Sequence, residues 1–151
     1  MSVDRGVHHA WLFEPGQWIA EGLFLERGEV ERCGRGYSTV RHESDRWVIE
    51  GEMEILADPI VRFRNVYDIT PPKRDARAVP WQSENPSIGI LTGTFVVVGV
   101  SIMSLFQSSD RVYFGSECLT QLDATRYQTS GLFRSSDAVI STWSMTLSRE
   151  A

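Results

Sequence analysis

Residues 46–69 read RWVIEGEMEILADPIVRFRNVYDI, and this stretch decides the fold. Apolar and polar residues alternate on both sides of Asp58-Pro59, which is the pattern of two β-strands joined by a tight turn. A reversal centred on Asp58 sets the register, because a slip of one residue would turn every side chain to the opposite face. That register pairs Glu54 with Arg62, Glu52 with Arg64, Met53 with Phe63 and Ile49 with Tyr67. Opposite charges meet on one face and apolar groups meet on the other, as expected of a half-buried hairpin.

The same alternation continues along the chain on both sides of this hairpin, and helical periodicity is nearly absent. A turn at Ser44-Asp45 places Trp47 beside His42 and Gly51 beside Ser38, so the inner face continues into the preceding strand. Candidate strands, separated by turn residues, are 18–26, 30–42, 46–56, 60–69, 88–98, 101–107, 111–122, 125–133 and 139–148.

Long strands and tight turns favour a closed barrel over a sandwich. An up-and-down antiparallel barrel needs an even number of strands, so we expect a tenth around residues 77–82. This strand would lie in the long connection 70–87. If the strand does not form, the connection is a long loop. The sequence therefore predicts an all-β chain, one domain over residues 1–151, folded as an antiparallel up-and-down β-barrel of about ten strands.

The C-terminal hairpin leaves one alternative open. A two-residue turn at Asp123-Ala124 aligns Cys118 with Thr129, Ser116 with Gly131 and Phe114 with Phe133, and it points Glu117 outward, opposite Ser130. If the face is inverted, Glu117 becomes a buried carboxylate with a raised pKa and a candidate acid.

Composition excludes several classes of protein. The net charge of −5 is spread over intermixed acidic and basic residues, without the Lys/Arg clustering that nucleic acid requires. No apolar run reaches the roughly 18 residues of a membrane span, and no signal segment is evident, so we expect a cytoplasmic protein without a membrane span. Cys33 and Cys118 lack metal-site spacing and are interpreted as reduced packing residues. Neither a metal site nor a particular cofactor is indicated.

Two short motifs resemble the lipocalin/calycin superfamily of β-barrels. Gly16-Gln17-Trp18 is similar to the G-x-W signature that opens the first barrel strand, and Arg149 resembles the basic residue that packs across that tryptophan. The resemblance implies a calycin-like barrel with an interior cavity, in which residues 1–15 form an N-terminal segment that closes the barrel. The chain departs from typical lipocalins in lacking a disulfide framework and a C-terminal helix.

Aromatic residues interleaved with a few polar ones on the inner face are typical of a small-molecule site. Our leading hypothesis is the binding of a small, largely apolar ligand inside the barrel. The residues expected to contact the ligand are Trp47, Phe63, Tyr67, Trp143, Asn65 and His42. Alternatively, these aromatic rings fill the barrel and leave no cavity.

Four further interpretations follow from the sequence. A barrel enzyme of isomerase or cyclase type would use His42 or Glu117 for acid-base chemistry. Apolar residues on both faces of 88–107 indicate a homodimer through the outer face of that segment. Trp81 would lie over the barrel mouth as a lid or anchor its loop on the outer wall, and His8-His9 is expected at the surface.

Overall fold

Ten antiparallel strands form a closed barrel in a computed structural model that describes residues 7–74, 76–86 and 88–151. The strands are β1 (Gly16–Glu26), β2 (Arg32–His42), β3 (Trp47–Ile55), β4 (Val61–Ile69), β5 (Ala78–Asn85), β6 (Gly89–Val98), β7 (Ser101–Ser108), β8 (Tyr113–Asp123), β9 (Arg126–Ser135) and β10 (Val139–Arg149). Each strand pairs with its neighbours in the chain, and β1 pairs with β10 to close the barrel. The predicted all-β, antiparallel up-and-down barrel of ten strands is confirmed. Within the described ranges, no helix has the length and hydropathy needed to cross a bilayer.

The predicted register of the β3–β4 hairpin is confirmed. Met53 lies opposite Phe63 and Ile49 opposite Tyr67, as the alternation requires. On the outer wall, Glu54 accepts hydrogen bonds from Arg62 at 3.0 Å and from Arg35 at 3.3 Å. The β2–β3 register is confirmed as well, with His42 opposite Trp47 and Ser38 opposite Gly51.

The predicted register of the β8–β9 hairpin is wrong by one residue. Glu117 lies opposite Gly131 instead of Ser130, and Gly115, instead of Phe114, lies opposite Phe133. An irregularity between Gln121 and Asp123 adds one residue to β8 near the turn. Such a bulge reverses the face of every residue beyond it on that strand, so Phe114 and Ser116 point outward and Glu117 points into the barrel.

The connection between β4 and β6 contains the expected tenth strand, β5. Its pairing with β4 is short and covers Tyr67–Ser83, Asp68–Gln82 and Ile69–Trp81, whereas its pairing with β6 runs along the whole strand. Trp81 points inward and is 5% exposed, and its indole N–H donates to Oγ of Ser104 at 3.3 Å. Both interpretations of Trp81, as a lid and as an outer anchor, are therefore wrong.

Residues 9–12 pack into one end of the barrel, which we call the closed end. Ala10, Trp11 and Leu12 are buried, and Leu12 adopts a left-handed backbone conformation with φ of 73° in a turn over residues 11–13. Residues 1–6 of the predicted closing segment 1–15 lie outside the described residues.

His9 fastens this segment and is 3% exposed, which corrects its expected place at the surface. Its Nε2 donates to the carbonyl oxygen of Gly99 at 2.8 Å, and its Nδ1 lies 2.7 Å from the hydroxyl of Tyr127. The hydroxyl of Tyr127 also accepts the Trp11 N–H at 3.4 Å. Burial raises the pKa of Tyr127 to about 12, so the hydroxyl stays protonated in this network.

Arg149 lies where the resemblance places it. It pairs in register with Trp18, and its guanidinium lies 6.0 Å from the centroid of the Trp18 ring. Arg149 also donates to Glu14 at 3.1 Å and to the carbonyl oxygen of Pro15 at 3.0 Å. The first strand, the last strand and the closing segment therefore meet at one point.

Candidate functional site

The barrel encloses a cavity of about 360 Å³. It begins at Trp11 and Phe95 near the closed end and extends towards the other end, which we call the far end, where Phe63 is 39% exposed. Aromatic residues dominate its lining, and besides Trp11 and the outer-face Tyr37 they are Phe24, Phe63, Tyr67, Trp81, Phe95, Phe106, Phe133 and Trp143. The alternative interpretation, in which the aromatic rings fill the barrel and leave no cavity, is therefore wrong.

Glycines on the inner face create room for these rings. A Cβ on Gly93 would lie 2.5 Å from the Trp81 indole, and a Cβ on Gly115 would lie 2.1 Å from the Phe106 ring. Each ring therefore crosses a glycine of the neighbouring strand, an arrangement that protects the exposed backbone and lets the sheet curve. The rings lie along the wall as a result, and the centre of the barrel stays open.

The same arrangement positions the inward-facing acid of the site, Glu117. Gly131 lies between Glu117 on β8 and Trp143 on β10, in register with both. The Trp143 indole passes over Gly131, where an added Cβ would lie 2.2 Å from Cζ2, and its Nε1–H donates to Oε2 of Glu117 at 2.5 Å. A glycine is required here because any side chain would displace the indole from the carboxyl group.

Glu117 is an acid in an apolar enclosure. Burial raises its pKa, and the hydrogen bond from Trp143 opposes that shift only in part. Among the described residues, Glu117 forms no ion pair with a basic side chain, and its carboxyl group lines the cavity. The site therefore holds either a neutral carboxylic acid, which can donate a hydrogen bond, or a carboxylate without a balancing positive charge.

Tyr67 is the second titratable group of the cavity. Burial raises the pKa of Tyr67, and a negative charge on nearby Glu117 raises it further. Its ring packs edge-on against Trp81, with centroids 4.9 Å apart. At neutral pH, the Tyr67 hydroxyl therefore stays protonated beside the acid and serves as a neutral hydrogen-bond group.

Four of the six predicted ligand-contacting residues line the cavity, namely Phe63, Asn65, Tyr67 and Trp143. Three of them share the face of the β3–β4 hairpin, so the alternation of that hairpin was sufficient to find them. Whether they contact a ligand remains a prediction.

His42 and Trp47 lie elsewhere and do not line the cavity. Their rings stack at 3.7 Å with an interplanar angle of 7°, and the edge of Phe13 packs against Trp47 at 5.9 Å. Nε2 of His42 donates to the carbonyl oxygen of Leu12 at 2.7 Å, which fastens the closing segment. Their predicted place in the site is thus corrected, because the N-terminal segment separates the end of the barrel from the cavity.

Sequence reasoning missed several parts of the site. It left out the lining residues Trp81, Phe95 and Phe106, and it placed Glu117 outward. For Trp81 and Phe106 a signal existed, because each pairs with an in-strand glycine of the next strand. For Glu117, the bulge leaves no clear mark in the turn sequence.

The described residues contain no group of three or more His, Cys, Asp or Glu side chains that could hold a metal ion. The titratable groups that point into the cavity are the carboxyl group of Glu117 and the phenol of Tyr67, whereas Tyr37 and Glu52 belong to the outer face. The neutral hydrogen-bond groups at the wall are Ser38, Asn65, Asn85, Ser104, Thr129 and Ser141.

Comparison with solved structures shows where this barrel has a counterpart. It superposes on the S-type phycobiliprotein lyase from Guillardia theta with a TM-score of 0.65 and 7% sequence identity, over 91% of this chain and 89% of that chain. At this identity the likeness shows that the two chains share a fold. No protein-family model matches the chain, and no curated protein matches its sequence.

Two further structures overlap more weakly. A putative AttH from Nitrosomonas europaea gives a TM-score of 0.30 at 10% identity, over 95% of this chain and 52% of that chain. The YwiB protein from Bacillus subtilis gives 0.32 at 10% identity, over 91% and 92%. These scores are too low to support a structural argument.

Proposed function

We propose that this protein binds a small, largely apolar molecule inside its barrel. The observation that carries the proposal is the cavity of about 360 Å³ inside the barrel, which is walled by aromatic rings and has few polar groups. Concave apolar sites with a small number of directed polar groups are typical of small-molecule binding. A ligand that buries roughly 200 Å² of apolar surface would gain about 5 kcal/mol before the costs of association.

The far end of the barrel supports entry from that side. Its turns carry exposed apolar side chains, and these are Val30, Leu56, Ile60, Val112 and Val139. An apolar molecule that approaches this end meets apolar surface before it reaches Phe63 and the cavity. At the closed end, the described segment 9–12 fills the opening of the barrel, with Trp11 and Leu12 buried.

A cavity-filling substitution tests the proposal. Gly51 lines the cavity, and a Cβ added there would meet no atom closer than 3.4 Å. Gly51→Leu should therefore fold and occupy the space, whereas Gly51→Ala, the matched control, should leave most of it. We expect a panel of apolar compounds to raise the unfolding temperature of wild type and Gly51→Ala, and to have little effect on Gly51→Leu.

Native mass spectrometry of the same three proteins provides the direct reading. Bound mass in wild type and in the alanine variant, but not in the leucine variant, would locate the ligand in the barrel. Equal uptake by all three folded proteins would place binding elsewhere and contradict the proposal.

A second candidate function is acid-base catalysis, and the position of Glu117 favours it. A carboxyl group with a raised pKa that faces an enclosed cavity beside a tyrosine is the arrangement expected of a general acid. In that case Glu117→Gln would retain ligand binding and lose conversion of the ligand. Chromatography of any bound compound after incubation with wild type and Glu117→Gln tests this, and identical compounds recovered from both proteins would exclude catalysis on that compound.

A further inference from the structure

The cavity contains an acid, and none of the described residues supplies a base to balance it. Of the charged side chains at its wall, Glu52 belongs to the outer face and accepts a hydrogen bond from Tyr37 at 2.9 Å. Glu117 points inward, and no Lys, Arg or His side chain of the described residues lines the cavity. An ionised carboxylate in such a place is costly unless a positive charge or several donors accompany it.

The surroundings of Glu117 are arranged for one further donor. The Trp143 N–H occupies Oε2, and Oε1 has no hydrogen-bond partner among the described side chains and backbone groups. Oε1 is also not among the fully buried unpartnered atoms, so it remains accessible from the cavity. A ligand group with an N–H donor can therefore reach this oxygen.

Aromatic rings surround the same space. Tyr67, Phe106, Phe133 and Trp143 line the cavity together with Glu117. The faces of such rings attract cations, and aromatic cages hold ammonium ligands in this way. A neutral apolar ligand would pack against the rings but would leave Oε1 of Glu117 without a hydrogen-bond donor.

We propose that the ligand of the barrel is an apolar amine whose ammonium group binds Glu117 while its apolar part fills the aromatic cavity. This inference rests on the proposed function and names the chemical class of the ligand. The ammonium group supplies the missing positive charge and donates to Oε1. Trp143 keeps the carboxyl group in place through Oε2.

A rival class, neutral carbonyl ligands, would use Glu117 in the opposite way. A protonated Glu117 would donate its hydrogen bond to the carbonyl oxygen, so binding would weaken as Glu117 ionises. Binding of an amine would strengthen over the same range, because the ammonium group prefers the carboxylate. Since burial raises the pKa of Glu117 above its ordinary 4.5, this range begins near that value and extends upward.

The test uses three probes that share one apolar part, namely 4-phenylbutylamine, 4-phenylbutan-1-ol and 4-phenylbutan-2-one. Their dissociation constants are measured calorimetrically with the full-length protein from pH 4.5 to pH 9, where the amine, with a pKa near that of lysine at about 10.4, stays protonated. Hydrogen bonds to charged groups contribute about 1.5–3 kcal/mol, so we expect the amine to bind about tenfold to hundredfold more tightly than the alcohol above the pKa of Glu117. The amine affinity should increase with pH and the alcohol affinity should stay level.

Two variants locate the effect. Glu117→Gln should remove the preference for the amine and its pH dependence while the alcohol still binds. The matched control Glu84→Gln makes the same change at an exposed carboxylate on β5, outside the cavity, and should retain both. The comparison of probes in wild type needs no variant, so a Glu117→Gln protein that fails to fold leaves the test intact.

The outcomes separate this inference from the proposed function. If none of the three probes and no compound of the apolar panel binds, the proposed function itself fails. If amine and alcohol bind equally, or the ketone binds best at low pH, apolar binding stands and the amine inference is overturned. An equal loss of amine and alcohol binding in folded Glu117→Gln would also overturn it, because the carboxyl group would then only shape the cavity.

Discussion

Glu117 lies within an apolar barrel and receives a hydrogen bond from one neutral donor, so its ionisation should cost folding free energy. Its pKa is higher in the folded than in the unfolded chain, so its contribution to stability is fully present below the unfolded value of about 4.5. That contribution is lost as the pH rises through the folded pKa. We expect wild type to lose stability relative to Glu117→Gln as the pH increases from 4.5, measured by thermal unfolding of both proteins across the range.

Glu84→Gln provides the control, because Glu84 is exposed on β5. For Glu117→Gln, the difference in unfolding temperature from wild type should increase with pH. For Glu84→Gln, this difference should stay constant. Parallel pH profiles for wild type and Glu117→Gln would contradict the assignment of Glu117 as a buried, destabilised acid.

Gly131 tests the link between the glycine pattern and the site. In Gly131→Ala the new Cβ would lie 2.2 Å from the Trp143 indole, which must move and release Glu117. Overpacking of this kind costs about 1–3 kcal/mol, which urea unfolding would measure. The matched substitution Gly51→Ala meets nothing closer than 3.4 Å and should leave stability unchanged or raise it by about 0.4–1 kcal/mol. Equal destabilisation by both substitutions would show that loss of glycine itself, and not the indole contact, is responsible.

At the scale of elements, hydrogen bonds to several strands and turns hold residues 8–12 in the closed end. The Tyr127 hydroxyl joins β9 to His9 and Trp11, so Tyr127→Phe would leave Nδ1 of His9 and a buried N–H without this partner. Such losses cost about 1–3 kcal/mol. We expect hydrogen exchange at residues 9–12 to accelerate strongly while exchange in the strands changes less.

Tyr113→Phe is the matched control, because the Tyr113 hydroxyl forms no hydrogen bond with another described side chain and lies towards the far end. Its exchange at residues 9–12 should equal that of wild type. Acceleration of similar size in both variants would mean that the segment is not fastened through Tyr127.

At the scale of the whole molecule, the packed interior should determine the free energy of unfolding. The exposed ion pairs of Arg35, Arg62 and Arg64 with Glu50 and Glu54 on the outer wall, which we call the charge ladder, should contribute little. Leu119 is 1% exposed, and Leu119→Ala should cost about 2–5 kcal/mol. Arg62→Ala removes an exposed ion pair with Glu54, which water and salt screen, so the free energy of unfolding should change far less. Urea unfolding at low and high salt checks both expectations. A large effect of Arg62→Ala that disappears in high salt would show that the ladder is a major stabilising element.

The homodimer through the outer face of 88–107 stays a prediction. In the single chain, Leu105 on that face is 61% exposed and Met103 is 40% exposed. These values agree both with a monomer and with a dimer that covers this face. Light scattering of the purified protein over a range of concentrations measures the oligomeric state directly, and a strict monomer would contradict the dimer.

The sequence by itself determined the all-β class, the number of strands and the face of β1 to β4. Alternation has a period of two residues, and in the β3–β4 hairpin charge and apolar pairing select the same register, so local information was sufficient. Phe63, Asn65 and Tyr67 were placed in the interior for that reason, and Trp18 and Arg149 came together because an even number of strands closes the barrel.

Only the tertiary structure decided that Glu117 points into the cavity and how far the cavity extends. One extra residue in β8 near Gln121 turned Glu117 inward, and the free energy of a bulge depends on pairing across the sheet, not on the turn residues alone. The separation of His42 and Trp47 from the cavity depends on residues 9–12, which carry no periodicity and are held by contacts with Gly99 and Tyr127, more than 80 positions away along the chain. Contacts between distant residues leave no local pattern, because they form only once the barrel has closed.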